Sequence, residues 1–323
     1  MNAFVTGGTG FVGAHLVQAL RARGDRVTAL VRSPAKAQAL GWTDVRIVRG
    51  DLHDRAALAD GCADADVVYH VAGLIAARNY TGFLAANRDG TRRVQEAAEG
   101  APRRPRLVLV SSQAVGGPNP RGMPTDESVP PAPVTDYGRS KLAAEDVVRS
   151  GKGPWAIVRP PVVYGERDTE TLKLFRLAKL GLGAVFGDGG QELSVIYAGD
   201  LAQALIAAGT HPAALAGTYY ACHPEVHTSR SLVLAIGRAV GKIPVVLPVP
   251  GPVARGLLWS IGSLAAIVGR ATILTADKAN EFLAPAWTCR GDRLSRDTGW
   301  RAQTDLATGL AAAVTWYRME RWL

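Results

Sequence analysis

The chain has 323 residues, 47% of them hydrophobic and 20% charged. This is the composition of a soluble globular protein long enough for a sizeable core and one or two domains. Its 37 basic residues against 28 acidic ones give a net charge of +9, but they form no long basic run, so an anionic cofactor and general solubility are favoured over nucleic acid. Cys62, Cys222 and Cys289 lie far apart without metal or redox spacing and read as reduced thiols of a cytoplasmic protein.

The opening residues carry no basic region or small-residue cleavage site, so no secretory signal is expected. Ala3-Phe4-Val5-Thr6 reads instead as a buried strand. It runs into Gly7-Gly8-Thr9-Gly10-Phe11-Val12-Gly13 and then a helix to about Arg23. Glycines between a strand and a helix let the backbone approach a pyrophosphate at the positive helix end, so Gly7, Gly10, Phe11, Val12 and Gly13 are candidate cofactor contacts.

The next strand, Val27 to Val31, ends in Arg32 where an acidic residue would hold an adenosine ribose diol. Arg32, with Lys36 nearby, suits a 2′-phosphate, so NADP(H) is expected over NAD(H). Strands follow at 45–50, leading to Asp51 and Leu52, at 66–71, leading to Ala72 and Gly73, and at 106–110, ending at Ser111-Ser112. Apolar runs alternating with amphipathic helices, one of them from about Tyr80 to Glu99, describe a parallel sheet covered on both faces. Ligands bind such sheets beyond the carboxyl ends of the strands.

Between Gly116 and Val134 six prolines mark a surface loop that could cover a substrate. A helix starting near Thr135 then puts Tyr137 and Lys141 four apart on one face. A nearby ammonium favours phenolate, which would turn a tyrosine into a working acid and base.

Together, Thr6 to Gly13, Asp51-Leu52, Val110-Ser111-Ser112, Tyr137-Gly-Arg-Ser-Lys141 and Arg159-Pro160-Pro161-Val162-Val163-Tyr164-Gly165 resemble the extended short-chain dehydrogenase/reductase superfamily over nearly the whole chain. The resemblance implies Tyr137 as general acid/base, Lys141 on the nicotinamide ribose and lowering the tyrosine pKa, and Ser112 on the substrate oxygen. It also implies Asp51 and Leu52 at the adenine, Ala72 and Gly73 along the cofactor channel, and Pro160 to Val163 at the carboxamide. Gly116 stands where the superfamily usually has an aromatic residue. Asn87 matches a superfamily asparagine, with capping or proton relay as its two readings, and His70 reads as a satisfied core histidine.

After a strand at 155–159 and a helix near Thr169 to Leu180, Gly187-Asp188-Gly189-Gly190-Gln191-Glu192-Leu193-Ser194 resembles the stretch where sugar-nucleotide members carry an arginine for the diphosphate. Leu193 and Ser194 lack that charge, which speaks against a sugar nucleotide unless another arginine such as Arg176 compensates. The apolar stretch from Gly256 to Gly269, fenced by Arg255 and Arg270, is shorter than the ~20 residues needed to span a bilayer. It reads first as a pocket wall or core helix and second as a membrane-surface contact. A closing helix is expected from about Thr304 to Arg318.

The expected architecture is α/β, a Rossmann-type doubly wound parallel sheet over 1–165, joined again by roughly 195–222, with a smaller interleaved substrate domain over 166–323. The favoured activity is NADP(H)-dependent hydride transfer at a carbonyl or secondary alcohol of a hydrophobic small molecule, leaning to the steroid and flavonoid branches. A nucleotide-sugar epimerase or dehydratase is the alternative, and a cofactor-sensing binding protein without turnover is a third reading. No metal site and no nucleic-acid partner are expected, and a homodimer is compatible with the sequence.

Overall fold

The computed structural model describes residues 1–269 and 271–323. Its strands are β1 (Asn2–Thr6), β2 (Arg26–Val31), β3 (Arg46–Arg49), β4 (Val67–His70), β5 (Arg106–Val110), β6 (Trp155–Arg159), β7 (Val162–Tyr164), β8 (Leu182–Phe186), β9 (Glu192–Tyr197), β10 (Gly217–Tyr220), β11 (Val226–Thr228), β12 (Val245–Val249) and β13 (Ala286–Trp287). Seven of them pair in parallel in the order β3-β2-β1-β4-β5-β6-β10. The expected Rossmann-type sheet is present. Because strand order reverses between β1 and β4, a crevice opens there at the carboxyl ends of the strands, the place where such sheets take a dinucleotide.

The central strands are apolar throughout because helices cover both faces. On one side Leu16, Val17 and Leu20 of the helix Phe11–Ala22 pack with Leu201 and Leu205 of the helix Ala198–Thr210. On the other, Phe4 of β1 packs with Leu58, Val94 and Val148 from three further helices. Burying a phenylalanine such as Phe4, fully enclosed, contributes about 2–3 kcal/mol. A Cβ on Gly61 would lie 2.2 Å from that ring, so the small residue is what lets the helix Arg55–Cys62 approach the sheet.

Beyond Tyr164 the chain builds a smaller unit on its own core of Tyr164, Phe175, Val195, Ile236, Val314 and Tyr317. In it β9 takes β7 and β13 as parallel neighbours and β11 as an antiparallel one. The chain also returns to the main sheet, where β10 lies against β6 with Gly217 opposite Ala156. The closing helix runs Leu306–Met319.

Two expectations are corrected. The long helix after Tyr80 is interrupted by a π-helical turn, Leu84–Asp89, between Tyr80–Phe83 and Gly90–Gly100. The apolar stretch after Arg255 belongs to the helix Gly251–Ile267, which is not a core helix. Among its described side chains only Ala254 and Leu258 are buried, whereas Trp259 is 63% and Leu264 63% exposed. Arg270, the second fencing arginine, lies outside the described residues.

Candidate active site

The glycine turn forms because only glycine fits it. Gly7 has φ +73°, and a Cβ there would lie 2.6 Å from the Ala72 amide nitrogen; one on Gly13 would lie 2.1 Å from the Gly7 carbonyl oxygen. The turn therefore sits directly against the end of β4. Gly10 precedes the helix Phe11–Ala22 with no side chain capping its first turn, which leaves N–H groups of that turn free for an anion. The crevice thus fits the pyrophosphate of a dinucleotide.

Around it the expected contacts gather from separate strand ends. Asp51, after β3, accepts the His53 N–H at 2.7 Å, and Leu52 packs beneath Gly90, where a Cβ would lie 2.8 Å from its Cδ1. Gly73, after β4, faces Asn87 and Lys141, since a Cβ on it would lie 3.0 Å from Asn87 Oδ1 and 3.7 Å from Lys141 Nζ. Pro160, after β6, accepts the Gln113 N–H at 2.8 Å and so ties the β6 end to the turn carrying Ser112. Val163 lies on β7 opposite Ile196.

The helix Asp136–Ser150 presents Tyr137 and Lys141. Thr135 caps it, accepting the Gly138 N–H at 3.2 Å, and in turn donates to Glu281 at 2.6 Å. Burial pushes the Tyr137 phenol up to about 12, and a hydrogen bond with Ser112 pulls it back only partly. Burial brings the Lys141 ammonium down to about 8, against the pull of Glu145. Lys141 Nζ donates to the Val110 carbonyl at 2.6 Å, so its charge is directed at the end of β5. The phenol therefore stands above its usual value here, where a lowering was expected from the neighbouring ammonium.

Of the two serines ending β5, Ser111 turns inward and donates to Glu145 at 2.5 Å. Glu145 also takes two bonds from Arg159, at 2.8 and 2.7 Å. Burial would raise this carboxyl, but the Arg159 bonds and charge, with the Ser111 bond, hold it below its ordinary value. Ser112 accepts the Ala114 N–H at 3.1 Å and stays beside Tyr137. Asn87, on the π-turn, accepts from Leu74 N–H at 2.8 Å and donates to Ser140 Oγ at 2.9 Å. It ties the Gly73 strand end to the helix of Tyr137. His70 is fully enclosed between Thr6, at 2.7 Å, and Thr91, at 3.1 Å, and burial pushes it down to about 3. It is a neutral core histidine.

Sequence reasoning missed the segment that covers Tyr137. Lys278 Nζ lies 5.1 Å from the centre of the Tyr137 ring and pairs with Glu281, while Asp277 accepts the Asp136 N–H at 3.0 Å. No spacing rule reaches across 141 residues of chain. The proline-rich loop is pinned at one side of this cover, with Asn119 bridged to Ala286 and Thr125 to Cys289. Among the described residues no cluster could hold a metal ion.

A family model described as "NAD dependent epimerase/dehydratase family" matches residues 3–222. The chain is 32% identical to ceramide reductase of Caulobacter vibrioides over 99% of this chain and 95% of the other. Among solved structures it resembles UDP-glucose 4-epimerase of Thermus thermophilus in complex with NAD, at 25% identity and TM-score 0.79, covering 98% of this chain and 99% of that one. It also resembles MoeE5 in complex with UDP-glucuronic acid and NAD, at 25% identity and TM-score 0.77, covering 99% of this chain and 100% of the other.

These likenesses overturn two expectations. The NAD complexes displace NADP(H), which rested on Arg32 and Lys36. Both are exposed beyond β2, and neither has a hydrogen bond or ion pair among the described residues that would aim it at a phosphate. The UDP-sugar proteins displace the hydrophobic carbonyl substrate, together with its steroid and flavonoid leaning. That reading leaned on Leu193 and Ser194, but Leu193 is held in register between His227 and Trp287, and Ser194 bonds both backbone groups of Cys289. Sheet packing accounts for both residues. Arg176 does not replace the missing arginine, because it donates to the Trp322 carbonyl at 3.0 Å. With its glycine turn, seven-stranded sheet and match over 3–222, the chain belongs to the NAD-dependent epimerase/dehydratase family, as an oxidoreductase fold acting on CH–OH and C=O groups.

Proposed function

We propose that the protein is an NAD-dependent enzyme that oxidises and restores a secondary alcohol on the sugar of a nucleotide-sugar, as an epimerase or dehydratase. The observation that carries this reading is the gathering of Ser112, Tyr137 and Lys141 at the strand ends of a crevice built for a dinucleotide, with Tyr137 and Lys141 on one helix and Lys141 Nζ held by the Val110 carbonyl near Gly73. The likeness to a UDP-glucose 4-epimerase with NAD supports it.

Gly7, Gly10, Phe11, Val12 and Gly13 would hold the pyrophosphate, Asp51 and Leu52 the adenine end, and Ala72, Gly73, Pro160 and Val163 the nicotinamide end. When bound, NAD would accept a hydride from the sugar carbon and return it. Tyr137 Oη would take the hydroxyl proton as the carbonyl forms and give it back as the alcohol is restored. Ser112 would hydrogen-bond the same oxygen, stabilising the charge that develops there. Lys141 would hold the nicotinamide ribose, and Asn87, bonded to Leu74 and Ser140, would position the Gly73 strand end against the helix of Tyr137. Lys278, 5.1 Å from the centre of the Tyr137 ring, would meet the substrate's anionic part. In this reading residues 1–165 with β10 serve the cofactor, and the unit beyond 166 serves the sugar.

The test is to incubate purified protein with UDP-sugars, follow inversion or dehydration by NMR, and quantify bound NAD. Conversion without net release of NADH, lost in Tyr137→Phe, is the expected result. Cofactor consumption with a ceramide-type lipid and no binding of any UDP-sugar would overturn it.

A further inference from the structure

A large share of the exposed large apolar side chains falls in two neighbouring elements of the smaller unit, the pair β8–β12 and the helix Gly251–Ile267. Strand β12 pairs in parallel with β8, with Val245 opposite Leu182 and Leu247 opposite Ala184. One face of this pair, Leu182, Val245 and Leu247, is open to solvent, and Ile243 just before it is 86% exposed. The opposite face is packed: Gly183 and Val185 are buried, and a Cβ on Gly183 would lie 2.4 Å from Val233. After a single residue, Pro250, the chain enters the helix, whose exposed face carries Val253, Leu257, Trp259 and Leu264 and ends with Ile267 at 81% exposure. Apolar surface on this scale marks an interaction site.

Charge identifies the partner. From Val226 to Ala276 the sequence has no aspartate or glutamate but five basic residues, Arg230, Arg238, Lys242, Arg255 and Arg270. The stretch Leu172 to Gly187, which includes β8, likewise has Lys173, Arg176 and Lys179 and no acid. Beside the first turns of the helix an open hollow of about 570 Å³ is lined by Arg255, Arg139 and Asn280 over Pro133, Val134 and Leu283. Arg139 is shared with Asp136 at 2.8 Å, whereas Arg255 has no ion pair among the described residues. A second copy meeting this face would bring two acid-free stretches, 226–276 of each chain, and their Arg255 side chains, unpaired among the described residues, together. A peptide or protein groove would need no such one-sided charge. An apolar face in a stretch, 226–276, that carries five basic residues and no acid matches the boundary between acyl chains and anionic headgroups.

We propose that the helix Gly251–Ile267, with the open face of β8–β12, docks the protein onto the surface of an anionic lipid bilayer, with Arg255 and Arg139 meeting headgroup phosphates at the hollow. The attachment lies in the interface and does not cross it. Among the described residues no helix is long and apolar enough to span a membrane.

The test is flotation of the full chain with vesicles of phosphatidylcholine alone and of phosphatidylcholine mixed equally with phosphatidylglycerol, at low and high salt. The expected result is at least about tenfold stronger partition onto the anionic vesicles, weakened by salt, with Trp259→Glu and Arg255→Glu each lowering it about tenfold. Circular dichroism and NAD binding of both exposed-site variants should match the parent, so a loss of flotation is not a loss of fold. Equal partition onto the two vesicle types would overturn the proposal. So would absence from both, or a homodimer that Trp259→Glu dissociates in place of vesicle binding. Flotation needs no substrate, so its outcome is separate from that of the nucleotide-sugar assay.

Discussion

Gly116 and Tyr220 share one volume: a Cβ on Gly116 would lie 2.3 Å from the Tyr220 hydroxyl oxygen. That hydroxyl accepts a long bond from Arg159 at 3.4 Å, and Arg159 is the partner of buried Glu145. The departure from the aromatic residue usual in the superfamily is therefore answered from β10, by a tyrosine that fills the space and braces the ion pair behind Ser111. Gly116→Phe should destabilise the fold by roughly 1–3 kcal/mol through overpacking. Combined with Tyr220→Ala it should recover part of that loss, and a denaturant double-mutant cycle measures the coupling. Strict additivity of the two changes would mean the residues are independent.

Tyr137→Phe removes the phenolic proton and leaves the ring between Phe83, 6.0 Å away, and Lys278. NAD affinity should be nearly unchanged while turnover falls by roughly 10²-fold or more. Ser112→Ala should also lower kcat, and it should shift the pH at which Tyr137 titrates upward, because it removes the bond that pulls against burial. Single-turnover rates across pH read both effects.

His70 predicts an acid sensitivity. Its folded value is about 3, depressed by burial and secondarily by Lys141, against an ordinary value near ~6.5 when unfolded. Between these values the unfolded chain binds a proton that the folded chain refuses, so stability falls as pH drops through that window. His70→Gln should flatten the dependence of unfolding free energy by up to about 1.4 kcal/mol per pH unit between pH ~6 and ~4. Urea titrations at several pH values give the slopes, and equal slopes would show that His70 is not the proton acceptor.

Gly13→Ala would put a methyl 2.1 Å from the Gly7 carbonyl oxygen. The glycine turn must open to admit it, so NAD binding should weaken at least about tenfold, more than the accompanying loss of stability explains. Calorimetry of NAD binding, with thermal melts of the same variant, separates the two. NADH should also bind the unmodified protein more tightly than NADPH.

Much of this molecule can be read along the chain. The strands β5 and β6 lie at the residues where apolar runs place them, and the glycine turn carries its chemistry in seven consecutive residues. Periodicity works there because each element is local and buried on both faces. It fails where function depends on pairs distant in sequence. The placing of Lys278 over Tyr137, of Tyr220 in the Gly116 space and of Leu193 between β11 and β13 is decided by tertiary packing. The π-turn that sets Asn87 inward was hidden for another reason, since a single wide turn has no start or stop residue of its own and lies inside an otherwise continuous helical run.

The pairing of β10 with β6 also governs how the chain can be divided. A fragment ending after Gly165 would keep the cofactor crevice but leave the Trp155–Arg159 strand with a row of unmatched amide and carbonyl groups, where Gly217–Tyr220 now closes the sheet. An apolar, unprotected strand of this kind recruits other strands. Such a fragment would stick to its own copies, so the late segment acts as a seal on the sheet as much as a part of it.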